Sequence, residues 1–212
     1  MNFDTHLELK GKHAPFPPSS PYWLKYDNDR LAEYYINLSS TDIGTSLHEL
    51  AADLILEKEK LSKTDKKVMS HHLRKAGFSR KKIRRFIGPF FPMFVAYVND
   101  AVTLGLQPEI VLYYSDLFFG TADAIEYFDD KKLLEIHDLK TGVTPAKMDQ
   151  LEVYAALYCL QYKVDPFKIN FELRIYQGEE VIVHRPESKD IRAICDNIIF
   201  KDKFIRELEE VS

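Results

Sequence analysis

The chain has 212 residues, 45% hydrophobic and 13% aromatic, with a formal net charge of −4, which fits a globular domain with a sizeable core. No apolar run approaches the roughly 20 residues that span a bilayer, and the polar N-terminus is unlike a secretory signal, so we expect a cytoplasmic protein with no membrane partner. The two cysteines, Cys159 and Cys195, are too few for a disulfide framework or a four-cysteine iron–sulfur cluster.

The sequence predicts helices in its first half. Residues 13–21 are rich in proline and serine and favour an extended segment, whereas residues 42–61 have helical spacing, with Thr41 or Asp42 as the cap. The following basic stretch predicts one or two short helices, broken near Gly77 and near Gly88-Pro89. A largely apolar helix is predicted over residues 91–106.

The net charge conceals this strongly basic segment. Residues 58–85 contain 12 lysines and arginines and 2 acids, giving +10 in 28 residues and leaving −14 for the rest of the chain. The densest part, here called the basic cluster, consists of Lys81, Lys82, Arg84 and Arg85. Such a segment suits the phosphates of a nucleic acid, although a solvated helical hairpin or a docking surface for an acidic protein has the same pattern.

The second half predicts strands and two further helices. Strands are expected over residues 109–114, 117–128, 132–140, 168–176 and 180–184, with a hairpin turn at 129–131, and helices over 147–162 and 188–211. This order is typical of an α/β (α+β) protein with a central mixed β-sheet flanked by helices. We expect one domain over residues 1–212, with a basic helical insertion at about 58–90.

Three charged residues of these strands suit phosphodiester hydrolysis. Asp138 and Lys140 share one face of their strand because side chains alternate, and the hairpin brings Asp123 close to them. Carboxylates hold the hard ions Mg²⁺ and Mn²⁺, and lysine adds positive charge near the reacting phosphate. Asp-x-Lys also occurs by chance on exposed strands, so this triplet alone is weak support for a catalytic site.

The triplet belongs to a longer pattern with fixed order and spacing. The pattern comprises Gly120-x-x-Asp123, Asp138-Leu139-Lys140-Thr141-Gly142 and Gln150-x-x-x-Tyr154, preceded by Gly44-Thr45-Ser46-Leu47-His48, by Glu109 and by a motif at residues 20–26. Over about residues 16–160 it resembles the RecB-type, phage exonuclease-like branch of the PD-(D/E)xK nucleases. The resemblance implies a restriction-endonuclease-like core and a bacterial or phage-infected cytoplasm.

The resemblance also implies metal ligands. Asp123 and Asp138 would bind Mg²⁺ or Mn²⁺ through their carboxylates, the main-chain carbonyl of Leu139 would add a ligand, and His48 would make Mn²⁺ acceptable. Glu109 would hold a second ion or order water, with a simple strand-start residue as the alternative.

Further implied roles concern the lysine and its supports. Lys140 would orient the attacking water, and Gln150 and Tyr154 would support Lys140 or touch the substrate, unless they are merely surface and core residues. The implied activity is a metal-dependent deoxyribonuclease, expected to be an exonuclease acting at DNA ends in recombination or DNA processing. An endonuclease and a non-catalytic DNA-binding or protein-interaction module on the same fold remain alternatives.

The implied partner is DNA, with strand preference, cleavage polarity and the choice between DNA and RNA left open. The chain has no ATP-binding Gly-x-x-x-x-Gly-Lys-Ser/Thr motif, so a motor would be a separate helicase or recombination protein. A homo-oligomer is equally left open.

Overall fold

The computed structural model describes residues 21–142 and 145–211 of the chain. The chain divides into two compact units, Met1–Asp42 and Ile43–Ser212. In the first unit, a short 3₁₀ helix (Pro21–Lys25) precedes the start of helix α1 (Asn28–Leu56), and the guanidinium of Arg30 lies 4.5 Å from the ring centroid of Tyr26. Residues 13–20 of the predicted extended segment lie outside the described residues.

The second unit contains the sheet and the other helices. Its helices are α2 (Lys66–Lys75), α3 (Arg80–Leu104), α4 (Asp149–Tyr162) and α5 (Ser188–Val211), with a 3₁₀ turn at Pro166–Lys168. Its strands are β1 (Gln107–Ser115), β2 (Phe118–Phe128), β3 (Leu133–Lys140), β4 (Asn170–Gln177) and β5 (Glu180–His184).

The predicted start of the first helix at residue 42 is wrong. Helix α1 begins at Asn28, and the cap is Asp27, whose Oδ1 accepts a hydrogen bond from the main-chain N–H of Arg30 at 2.8 Å. The helix also ends before residue 61, because Lys58 takes a left-handed conformation with φ 57°.

The predicted break at Gly88-Pro89 is also wrong, because α3 runs through Pro89 and Pro92. A proline crowds the Cβ of the residue before it, and Gly88 has none, so this position tolerates the helical conformation. Packing of the buried face of the helix, which includes Phe94 and Tyr97, then stabilises one continuous helix. The other predicted break is confirmed: Gly77 (φ 90°) separates α2 from α3.

Helix α3 corrects the expectation that no apolar run is long enough for a membrane span. By length and composition alone it passes as a candidate, the only one among the described helices. The core helix of a globular protein has the same length and composition, and nine residues of α3 are buried in the structure.

The predicted mixed sheet flanked by helices is confirmed. Its strand order is β1-β2-β3-β4-β5, with β3 and β4 parallel and the other neighbours antiparallel. One hydrophobic cluster joins α1, α2 and α3 to sheet residues that include Leu139 and Tyr176. The other joins α4 and α5 to residues of the opposite face, including Ile136 and Leu173. Cys159 and Cys195 are both buried.

Candidate metal centre and active site

The site lies where strands β2 and β3 separate. Main-chain pairing between them ends at Ala124 and His137. Beyond that point the main-chain N–H of Leu139 donates to Oδ2 of Asp123 at 2.9 Å, so a side-chain carboxylate replaces the main-chain acceptor. Asp123 and Asp138 therefore lie where the two strands no longer pair through their main chains.

Three side chains from three elements surround this point. His48 of α1, Glu109 of β1 and Asp123 of β2 each offer a ligand atom, and these atoms all lie within 4.8 Å of one another. Nδ1 of His48 is 3.2 Å from Oδ2 of Asp123. The sequence predicted metal-related roles for all three, and the fold brings them together.

Glu109 reaches this group through an unusual backbone conformation. Its φ is 54°, which a residue with a Cβ rarely adopts, and it lies between the paired residues Pro108 and Ile110, opposite Asp123. Strained residues inside strands cluster at functional sites, since the surrounding structure must hold them in place.

Asp138 and Lys140 form the second half of the site with helix α4. Nζ of Lys140 donates to Oδ1 of Asp138 at 3.1 Å and to Oε1 of Gln150 at 2.8 Å, and Nε2 of Gln150 donates to the hydroxyl of Tyr154 at 3.1 Å. Nζ is also 3.0 Å from Oδ2 of Asp138, but that contact lacks hydrogen-bond geometry, so Oδ2 is buried without a hydrogen-bond partner among the described residues. A buried carboxylate oxygen that accepts no hydrogen bond is costly, and the nearby Lys140 ammonium offsets part of that cost.

Two glycines allow the flanking helices to approach. A Cβ on Gly120 would lie 2.8 Å from Cε1 of Tyr154, and a Cβ on Gly44 would lie 2.6 Å from Oγ1 of Thr141. Both contacts are shorter than side chains tolerate. The sequence pattern contained these four residues, but only their contacts in the folded chain explain why both positions require glycine.

The carboxylates shift one another's protonation. Loss of water on burial, together with the charge of Asp123, raises the pKa of Asp138 to about 6 against the opposing effects of Lys140 and His48. Burial and then Asp123 also raise the pKa of Glu109. Burial disfavours protonated His48, but its hydrogen bond to Asp123 and the neighbouring carboxylates outweigh this, and the pKa of His48 is raised. Such excess negative charge favours a bound cation.

Tyr97 of α3 is a buried phenol on which the charges of the site act. It is 2% exposed, and burial first and then the charges of Asp123, Asp138 and Glu109 raise its pKa. Its ring packs edge-on against Tyr176, with centroids 5.4 Å apart. The sequence predicted only that it belongs to a largely apolar helix.

Comparison of the chain with protein-family models, curated proteins and solved structures finds no match.

His137 lies on the face of β3 opposite Asp138, because neighbouring side chains of a strand alternate. Its Nε2 is 3.2 Å from Oε2 of Glu135 and its Nδ1 is 3.3 Å from the hydroxyl of Tyr176, which donates to Oδ2 of Asp100 at 2.8 Å. This buried network binds β3 to β4 and α3 behind the site.

The basic cluster occupies the first two turns of α3. Lys81, Arg84 and Arg85 are exposed, and Nζ of Lys82 lies 5.0 Å from the ring centroid of Phe78. At about 1.5 Å per helical residue, the cluster is roughly 18–24 Å along the helix from Tyr97. These four residues remain predicted contacts for the phosphates of a polyanion.

Proposed function

We propose that the protein is a metal-dependent deoxyribonuclease with a restriction-endonuclease-like core, and that it removes nucleotides from DNA ends. The observation that carries the proposal is the meeting of His48, Glu109, Asp123, Asp138 and Lys140 where β2 and β3 separate. The preference for ends comes from the sequence resemblance to phage exonucleases.

The donor set fits a divalent cation. Carboxylate oxygens with one imidazole suit Mg²⁺ or Mn²⁺, and Oδ2 of Asp138 accepts no hydrogen bond among the described residues, with the Lys140 ammonium 3.0 Å away. Asp123, Asp138 and His48 would hold the ion, with Glu109 beside them and the carbonyl of Leu139 as a predicted further ligand. When bound, the ion supplies positive charge that polarises the phosphoryl group.

Lys140 is the group of this chain that would act on the reacting atoms. Its ammonium, fixed by Asp138 on one side and by Gln150 on the other, offers a remaining proton to hold the attacking water or a phosphoryl oxygen. In the reaction water forms a P–O bond, the bond to the leaving oxygen breaks, and a proton passes to that oxygen. Gln150 and Tyr154 are positioning residues, because they act through Lys140.

The first experiment incubates the protein with linear and covalently closed circular DNA, single- and double-stranded, in EDTA, Mg²⁺ or Mn²⁺. We expect metal-dependent loss of linear DNA alone, abolished in Asp138→Ala and retained in Asp129→Ala, whose carboxylate lies exposed in the β2–β3 turn. Cleavage of circles would replace the exonuclease by an endonuclease. Cleavage by Asp138→Ala at the wild-type rate would end the proposal.

A second readout does not need catalysis. Mn²⁺ should raise the melting temperature of the wild-type protein, since a ligand that binds only the folded state stabilises it. It should leave the melting temperature of Asp123→Ala unchanged. Metal binding without cleavage of any DNA would favour a non-catalytic binding module.

A further inference from the structure

The outer face of the β1–β2 hairpin carries a row of exposed apolar side chains. Val111 pairs with Thr121 and Tyr113 pairs with Phe119, and all four side chains point to one face. Val111, Tyr113 and Phe119 are 54%, 49% and 62% exposed, while Leu112 on the opposite face is buried against α4. We name these four residues the aromatic face.

The aromatic face is continuous with the candidate metal centre. Residues i and i+2 of a strand share a face, so Phe119, Thr121 and Asp123 follow one another along β2. Glu109, whose carboxylate lies near that of Asp123, precedes Val111 along β1. A polymer whose phosphate reaches Asp123 and which follows the hairpin therefore passes over Tyr113 and Phe119.

The edge of β1 is poorly suited to binding another strand. The main-chain N–H of Tyr113 donates to Oε1 of Gln161 at 2.7 Å, which occupies a donor on the strand's free side. Glu109, with φ 54°, interrupts the extended conformation nearby. These features work against edge-to-edge pairing with a second copy of the chain and leave the face itself as the surface available for binding.

We propose that the aromatic face is a stacking platform for unpaired bases of a single-stranded nucleic acid whose backbone enters the metal centre. The rings of Tyr113 and Phe119 have centroids 6.4 Å apart and are tilted by 34°, so they form one broad apolar surface. Exposed aromatic rings bind bases of any sequence, and only unpaired bases have free faces, since a duplex covers them. The inference rests on the proposed nuclease function and adds its substrate class: a single strand or a frayed end.

The spacing sets which bases are involved. Phe119 and Asp123 are four positions apart, which is about 13 Å along a strand. That length corresponds to about four stacked nucleotides at roughly 3.4 Å each, or fewer when the strand is unstacked.

The test measures binding in EDTA, so that metal-dependent cleavage does not interfere. Single-stranded oligonucleotides carry the fluorescent base 2-aminopurine at successive positions from each end, and blunt duplexes serve as comparison. We expect quenching at positions a few nucleotides from one end, and about tenfold weaker single-strand binding in the double variant Tyr113→Ala/Phe119→Ala. Duplex affinity should stay the same.

Two further variants make the result specific. Phe167→Ala removes an aromatic ring that is equally exposed at 64% but lies outside the hairpin, and it should bind like wild type. Phe119→Trp keeps a stacking ring and should retain both affinity and quenching.

Unchanged single-strand affinity and quenching in the double variant would overturn the platform, even if the protein degrades DNA. Quenching in a protein that cuts nothing would support the platform and count against the nuclease proposal. Concentration-dependent self-association that the double variant loses would make the face an interface between copies and would also overturn it.

Discussion

Replacing Asp138 with asparagine should stabilise the metal-free protein. With a pKa of about 6 in the folded chain and an ordinary value of 3.8, ionised Asp138 destabilises the fold at pH 8. At about 1.36 kcal/mol for each pKa unit, the difference between the two pKa values corresponds to a destabilisation of at most ~3 kcal/mol. The buried amide lacks a full set of partners, which offsets roughly 1 kcal/mol. We expect a net gain of about 2 kcal/mol, or roughly 4–8 °C in melting temperature for a chain of this size.

The sign of the pH dependence follows from proton binding. Between about pH 4 and pH 6 the folded wild type binds more protons at Asp138 than the unfolded chain does, so its free energy of unfolding falls as the pH rises. The advantage of Asp138→Asn should therefore be small at pH 4, grow through this window and become constant above it.

Thermal melting in EDTA over a pH series measures this difference. Asp129→Asn is the matched control: its carboxylate is 82% exposed and pairs with Lys132, so its melting curve should follow that of wild type. If Asp138→Asn melts below wild type at pH 8, then Asp138 is a stabilising partner of Lys140, and the argument from a buried, excess carboxylate fails.

Three more predictions concern the walls of the site and its surroundings. Gly44→Ala should cost about 1–3 kcal/mol in urea unfolding because its Cβ would press on Thr141, whereas Gly142→Ala meets no neighbour and should not destabilise; equal losses would refute the close-approach argument. Gln150→Leu should lower kcat about tenfold with KM unchanged, because Lys140 loses an acceptor; an unaltered kcat would make the contact incidental. Charge reversal in the basic cluster should reduce the salt dependence of DNA binding by about 0.9 in log–log slope for each lost phosphate contact, and an unchanged slope would favour docking of an acidic protein.

The sequence alone predicted those features that depend on local periodicity. Alternation along β3 places Asp138 and Lys140 together, the turn before β3 brings Asp123 near, and a four-residue spacing aligns Gln150 with Tyr154. Each relation is fixed by the geometry of one strand, one hairpin or one helix. The strand set and its flanking helices follow from the same patterns.

Tertiary contacts decided the rest. Packing of a buried face carries α3 through two prolines, and the left-handed φ of Glu109 is not encoded by any turn residue. The separation of β2 from β3, the close approach of Tyr154 to Gly120 and the packing of Tyr97 against Tyr176 all join residues distant in sequence. Such features have no local signal, because the energy that maintains them comes from neighbours that only the folded chain brings together.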